Sequence, residues 1–379
     1  QGTVTGSEAA RVCHAALAAA ELQPELVGLI ETASLTDSTI HPAEAQGLAA
    51  AYVANGELTC ALSAGEGGLL GLIKTAWRLK QRVITGMPQW AGLEQSAQWQ
   101  QSPFYVPTES RTWFLPAGHN RRYAAFNTLS DAGGFAQFIL RDEASIATHP
   151  NGALRHETLE LFPIVGETVS QLIELMANLQ SRAAAGANLA AEAQRAYAQY
   201  LVEQPSPNHT ACLLSRTPEE LQREIGFAVK GIPAAFDKKS DWQTPLGSYF
   251  TSQPLGGNGD VAFVYPGAFN SYPGVGRDLF YLFPNLYDRL TTVSSQVGEL
   301  LNEKLLYPRS LTPLSQSDLE TYEKQLNADP LAMLISGSSL AVIYTLLLRE
   351  TFDIHPAHAF GYSLGEISMM FATSVWTNG

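Results

Sequence analysis

The stretch Ala357-His358-Ala359-Phe360-Gly361-Tyr362-Ser363-Leu364-Gly365-Glu366 constrains this chain more than any other. It reads as a short strand, a tight turn and the start of a helix, with Ser363 at the turn in the pattern G-x-S-x-G. A nucleophile on a sharp strand-to-helix turn is pushed clear of the backbone, and small residues two positions to either side avoid the clash such a turn creates. The helix that follows aims its free N–H groups and positive dipole end at any oxyanion that forms. Ser363 is therefore the candidate nucleophile, Gly361 and Gly365 its flanking small residues, and the Leu364 N–H a candidate oxyanion donor. With 31 glycines in 379 residues the pattern also arises by chance, so an ordinary turn serine is the competing reading. The flanks favour the first. Leu331 to Arg349 predicts a long apolar helix, Thr351 to Pro356 a connection, and a strand then runs into the serine.

The length predicts two or three domains. Hydrophobic residues make up 45% and charged ones 16%, enough to bury a large core. The net charge of −13 opposes a nucleic-acid backbone as partner. No apolar run of spanning length lacks charges or breakers, so no transmembrane helix is expected. The N-terminus lacks a basic-then-apolar leader pattern. Cys13, Cys60 and Cys212 form a sparse, odd set without C-x-x-C, which predicts core thiols, no disulfide, no metal site and a cytoplasmic protein.

The first segment, to residue 145, alternates helix and strand. Glu8 to Leu22 predicts a helix, Val27 to Glu31 a strand, Pro42 to Val53 a helix and Glu57 to Leu62 a strand. Gly68 to Arg82 predicts a helix, with Leu69, Leu72, Ile73, Ala76 and Leu79 at helical spacing. Tyr123 to Phe126 and Ala136 to Leu140 are expected as closing strands around Gly133-Gly134.

Here the chain resembles the C-terminal half of a polyketide or fatty-acid synthase ketosynthase. Ile30 to Leu48 aligns without gaps to the family stretch V-E-T-H-G-T-G-T-x-L-G-D-P-I-E-A-Q-G-L. Ile30-Glu31-Thr32, Pro42 and Glu44-Ala45-Gln46-Gly47-Leu48 match, while Ala33 stands where the family has its catalytic histidine. The next family block, G-S-x-K-x-x-x-G-H, is shortened here, with Cys60-Ala61-Leu62-Ser63 running almost directly into Gly67-Gly68-Leu69. The closing G-G-T-N-A-H reads Ala132-Gly133-Gly134-Phe135-Ala136-Gln137. Decarboxylative condensation needs imidazoles to polarise the thioester and steady the enolate, and Ala33 supplies neither. The resemblance thus implies a thiolase-like half that packs, pairs or docks without condensing activity.

Residues 146–256 predict a small α+β module. Glu157 to Val165 and His209 to Leu214 are expected strands, and Glu167 to Arg182 and Ala183 to Tyr200 helices. Thr217-Pro218-Glu219-Glu220 is a helix start with a capping threonine, proline in the first turn and acids following. The module resembles the linker joining ketosynthase to acyltransferase, and Asp241 to Phe250 resembles the segment that returns across both domains.

Residues 257–379 open on Val261-Ala262-Phe263-Val264-Tyr265-Pro266-Gly267, similar to the acyltransferase opening F-x-F-P-G-Q-G-S-Q, although Ala268-Phe269-Asn270-Ser271 replaces Q-G-S-Q. In that family the residue after P-G gives a backbone N–H to the oxyanion hole. The resemblance assigns that role to Ala268, beside Leu364. The serine motif G-Y-S-L-G-E departs from the usual G-H-S-x-G. Tyr362 replaces a histidine that flanks the acyl pocket, which speaks against simple malonyl selectivity. The family's histidine base lies well beyond its serine, so the resemblance places it past residue 379. His355 and His358 precede the turn too closely to serve.

Taken together, the chain resembles the stand-alone acyltransferase component of bacterial polyunsaturated fatty acid synthases. Heterocyst-glycolipid-type synthases are close relatives. The implied fold is α/β, with a partial ketosynthase half, a linker and an α/β-hydrolase-like acyltransferase core. The implied activity is acyl transfer from an acyl-coenzyme A or carrier-bound thioester, through acyl-Ser363, to the phosphopantetheine of an acyl carrier protein. No bound metal or redox cofactor is implied. Other synthase subunits are implied partners, and pairing of family ketosynthases implies a homodimer. Two alternatives stand beside it, a thioesterase with water as acceptor and a non-catalytic docking component.

Overall fold

The computed structural model describes the chain except residues 1–3, 34–39, 54–56, 64–67, 93–98, 100–101, 117, 131, 144–158, 204–208, 256–258, 293, 295 and 377–379. Two compact units result, one combining Gln1–Gly152 with Asp260–Gly379 and one formed by Ala153–Gly259.

The larger unit is built on a five-stranded sheet in the order Phe104–Tyr105, Cys60–Ser63, Val27–Glu31, Tyr123–Leu129, Phe135–Arg141. The first four strands are parallel and the last pairs antiparallel across the Gly133 turn, where φ is +81°. Val27–Glu31 reads V-G-L-I-E, apolar nearly throughout, as a central parallel strand covered on both faces should. Gly28 is required there, since a Cβ would meet the Trp113 indole at 2.5 Å. The helix Gly6–Ala19 starts on a capping box made by Thr5 and Glu8. It packs on Pro42–Ala51, with Gly47 admitting Ala9.

The helix Gly68–Gln81 is present but turned from its apolar stripe. Its buried residues are Gly71, Thr75, Arg78 and Leu79, while Leu69, Leu72, Ile73 and Ala76 are exposed. Gly71 lets the helix approach the Phe126 ring, and Arg78 reaches inward to pair with buried Glu31, which Lys74 also meets at 3.3 Å. Pairing a buried carboxylate outranks burying leucines here, because an unpaired interior charge costs more than an exposed side chain.

In the last segment Ala262–Tyr265 pairs parallel with His358–Gly361, flanked by the helices Pro330–Leu346 and Leu364–Ala372. Pro330–Thr351 is long and apolar enough to cross a membrane by length and composition, which corrects the sequence count. Its serines and glycine break an unbroken apolar run without lowering its average enough. In this fold its Ala332, Ser336, Gly337, Leu340 and Ile343 are buried.

First and last segments share one core. Phe114 lies among Phe280, Tyr287 and Tyr307, stacked on Tyr307 at 6.2 Å. Arg111 donates to Glu303 Oε2 at 3.0 Å and to the Tyr307 carbonyl at 2.7 Å, and the Trp90 indole N–H donates to Leu311 O at 3.1 Å.

The smaller unit is an antiparallel sheet ordered Asp241–Gln243, Tyr249–Thr251, His209–Ser215, Glu160–Gly166. Residues 157–158 of the first expected strand lie outside the described residues. The helices Val169–Ala184, Leu189–Glu203 and Pro218–Asp237 complete the unit, and Thr217 Oγ1 accepts the Glu220 N–H at 3.2 Å as the cap. The stretch from Asp241 to Phe250, expected as a returning segment, supplies two strands of this sheet. Phe250 is fully buried, and Trp242 packs against Gly231, where a Cβ would meet its indole.

Candidate active site

The serine turn is set by three backbones meeting closely. Tyr265 pairs with Gly361 at the strand ends, and the helix Leu364–Ala372 begins just after the turn. A Cβ on Gly361 would lie 2.2 Å from the Gly365 carbonyl, and one on Gly365 would lie 2.2 Å from Tyr265 O. Both glycines of the motif are thus steric necessities. Ser363 has φ 56° and ψ −124°, a positive φ that an L-residue holds at a cost of about 1–3 kcal/mol. Its side chain is exposed.

Gly365 N–H donates to Tyr362 O at 2.9 Å and Glu366 N–H to Ser363 O at 3.0 Å. Among the described residues no acceptor takes the Leu364 N–H, which opens the helix beside the serine. The loop after Tyr265 runs past the same point. A Cβ on Gly267 would lie 3.3 Å from Tyr362 O and 3.8 Å from Ser363 Cβ. Ala268 follows directly, and among the described residues its N–H has no acceptor either. Phe269 takes φ +66°, turning the chain away. Tyr362 is 84% exposed, with Tyr362 Cδ1 near Gly267.

Sequence reasoning missed what seats this loop. The Asn270 Oδ1 fills the space of an absent Gly337 side chain, 2.8 Å from where its Cβ would be. Ser336 donates to Ser271 at 3.2 Å, and the hydroxyls of Tyr265 and Thr345 are 2.9 Å apart. The Ser336-Gly337 pair within an apolar helix was the available signal for a close approach.

Neither nearby histidine reaches Ser363. His355 Nε2 meets Asp353 Oδ1 at 2.8 Å, and His358 lies 3.7 Å from Asp260. His358 pairs with Ala262 at the opposite strand end, about 10 Å from Gly361 at the rise of a strand. Among the described residues no imidazole hydrogen-bonds Ser363.

Ala33 lies elsewhere, past the end of Val27–Glu31. Its N–H donates to Glu44 Oε1 at 2.8 Å, which also accepts from Asn127 Nδ2 at 2.8 Å. Gln137 donates to Asn127 at 2.8 Å, and the Tyr52 hydroxyl donates to Gln137 at 2.9 Å. The position offers a methyl group and a satisfied backbone. Cys13 and Cys60 are buried; burial pushes the Cys13 thiol up to about 12 and raises Cys60 and Cys212 too. Such thiols are poor nucleophiles.

No family model matches the chain. It is 27% identical over 329 residues, 81% of its length, to a polyunsaturated fatty acid synthase subunit of Thraustochytrium sp. (strain ATCC 26185 / S-3). It is 26% identical over 381 residues, 96% of its length, to the polyketide synthase GfsE of Streptomyces halstedii. The chain spans 16% and 9% of the lengths of these two curated relatives. Among solved structures, the acyl transferase domain of ZmaA is matched with a TM-score of 0.40 and 15% identity, over 59% of this chain and 46% of that one. Ketosynthase twelve of the bacillaene polyketide synthase of Bacillus amyloliquefaciens is matched with a TM-score of 0.32 and 19% identity, over 59% and 40%. The resemblance read from the motifs therefore has its counterpart in similarity along most of the chain: this protein is similar to components of polyunsaturated fatty acid and polyketide synthases.

Proposed function

We propose that the chain carries the nucleophile of an acyltransferase acting in polyunsaturated fatty acid or polyketide-type synthesis. One observation carries the reading: an exposed serine held at positive φ between a strand and a helix, with two backbone N–H groups beside it that no acceptor among the described residues takes. Ser363 Oγ attacks the carbonyl carbon of an acyl thioester, the C–S bond breaks, and the thiol leaves with the proton lost by the serine. A phosphopantetheine thiol of an acyl carrier protein then attacks the acyl-serine, and the proton returns to Ser363. Leu364 and Ala268 N–H groups hold the oxyanion in both steps, each worth about 100-fold in rate. Tyr362 stands at the mouth and biases which acyl group enters. Among the described residues no imidazole hydrogen-bonds Ser363 to act as its base. The ketosynthase-like sheet, with Ala33 in place of a histidine, serves as scaffold and docking surface for other synthase components.

The test is intact-mass spectrometry of the complete protein with a panel of acyl-coenzyme A donors, beside Ser363→Ala. A serine-dependent mass gain discharged onto holo carrier protein is expected. Release of free acid instead would move the activity to thioester hydrolysis. No adduct with any donor would sink the enzyme reading, and equal adducts on both proteins would put the nucleophile elsewhere.

A further inference from the structure

The helix Gly68–Gln81 turns Thr75 and Arg78 inward and shows water its apolar side. Leu69, Leu70, Leu72, Ile73 and Trp77 are between 36% and 71% exposed, with Ala76 exposed among them. Phe138 extends this surface onto the strand Phe135–Arg141 and is 53% exposed. Its ring stacks on Phe126 at 6.1 Å, and Phe126 is the ring that Gly71 admits beneath the helix. Among the described residues nothing covers this surface. The exposed parts of these six large side chains come to roughly 600 Å2, the upper end for the largest apolar patch of a monomer.

The pattern on the helix reads the same in both directions. Leu70 and Leu69 stand three and four positions before Ile73, and Ala76 and Trp77 stand three and four after it. Residues at these spacings share one helix face. A two-fold axis at Ile73 therefore lays the helix antiparallel on its own copy with apolar groups meeting throughout. Ile73 meets the partner's Ile73, Leu69 the partner's Ala76, and Leu70 the partner's Trp77, and each contact occurs twice. The charges agree with that direction. The helix contains no acid, and the cation of its outer face is Lys80, whose Nζ lies 5.8 Å from the Trp77 ring centre. An antiparallel pair holds the two Lys80 residues roughly 20 Å apart at the helical rise, whereas a parallel pair sets them side by side. Two such patches bury roughly 1,200 Å2 together, the lower limit for a specific interface.

We infer that the outer face of Gly68–Gln81 is the contact between two copies of this chain, paired antiparallel about Ile73. The contact is separate from Ser363 and stands whether or not that serine is acylated. Sedimentation velocity of the complete protein tests it. A reversible dimer is expected, with a dissociation constant of roughly 1–100 μM for so small an interface. Ile73→Glu sets two carboxylates against each other on the axis and should raise that constant at least about 100-fold. Ile73 is half exposed, so this variant keeps its fold, and an unchanged circular dichroism spectrum checks that. Mild oxidation should link Ile73→Cys into a disulfide-bonded dimer. Leu69→Cys should stay reduced, because its two copies lie roughly 12 Å apart along the helices, beyond disulfide reach. A dimer that Ile73→Glu leaves intact, or Leu69→Cys linking as readily as Ile73→Cys, would overturn the assignment. So would a monomer up to about 1 mM. In that monomer, slow labelling of Ile73→Cys by a maleimide would give the face to another segment of the same protein, and fast labelling would leave it for a different chain.

Discussion

The strands Val27–Glu31 and His358–Gly361 both run parallel to a neighbour and end at a turn, yet the polar groups there are treated in opposite ways. Past Glu31, the Ala33 N–H is answered by Glu44, Glu44 also by Asn127, Asn127 by Gln137 and Gln137 by Tyr52. Past Gly361, the backbone at Ser363 is held at positive φ, the side chain faces solvent and no acceptor among the described residues takes the next N–H. A network that answers every group adds stability and leaves nothing to react. A strained turn costs stability, and it persists where neighbouring contacts over-determine it, as Gly361 and Gly365 do here. The molecule thus holds one strand end closed by hydrogen bonds and one strained and open to solvent.

Substitutions at the two ends should separate these roles. Ser363→Ala should lower acyl-enzyme formation at least about 10,000-fold while leaving the melting temperature nearly unchanged, read by intact mass and calorimetry. Gly365→Ala forces Tyr265 O to move and should cost about 1–3 kcal/mol in urea unfolding, and it should slow acylation about 100-fold as the Leu364 N–H shifts. Full acylation with unchanged stability would mean that the turn is looser than the close contacts require. At the closed end, Glu44→Ala strips the Ala33 N–H and the Asn127 amide of their shared acceptor. It should cost about 2–4 kcal/mol with no change in acylation per folded molecule. A loss of acylation out of proportion to folding would show that the two ends are coupled.

Cys13, beside this closed network, gives a pH signature. Burial holds its thiol protonated to about pH 12, against an ordinary value of 9.0. The unfolded chain releases that proton from about pH 9 upward, so the stabilisation is complete below pH 9 and is lost as the pH climbs toward 12. Urea midpoints at pH 8 and pH 10 should fall more steeply for the wild type than for Cys13→Ala. The smallest effect is expected at Tyr362. Its exposed ring should change stability by no more than about 0.5 kcal/mol on Tyr362→Ala, while the ranking of acyl donors changes. An unchanged ranking would remove Tyr362 from acyl selection.

The serine turn was legible because its chemistry demands fixed spacing. Gly361 and Gly365 are named by the same steric rule that names Ser363. Ala33 was legible by what it lacks. The pairing of strand and helix in the larger unit followed from runs such as V-G-L-I-E. What stayed hidden depends on partners distant in sequence. The periodicity of Gly68–Gln81 marks an apolar stripe, but Glu31 determines which side turns inward. Asn270 fits against Gly337 across 67 positions, and no local pattern announces that fit. Asp241 and Tyr249 start strands because Trp242 and Phe250 find a core in their own unit, which composition alone does not reveal.

Arg111 also sets an order of events during synthesis. Its acceptors Glu303 and Tyr307 leave the ribosome 192 and 196 residues after it. At typical elongation rates that is a delay of roughly 10–40 s. The parallel strands can assemble during this time, while Phe114 and the guanidinium remain without their later partners. The first segment is therefore born with an aromatic, cationic face that Phe280, Tyr287, Glu303 and Tyr307 cover later, and a holding chaperone should find it in the interval.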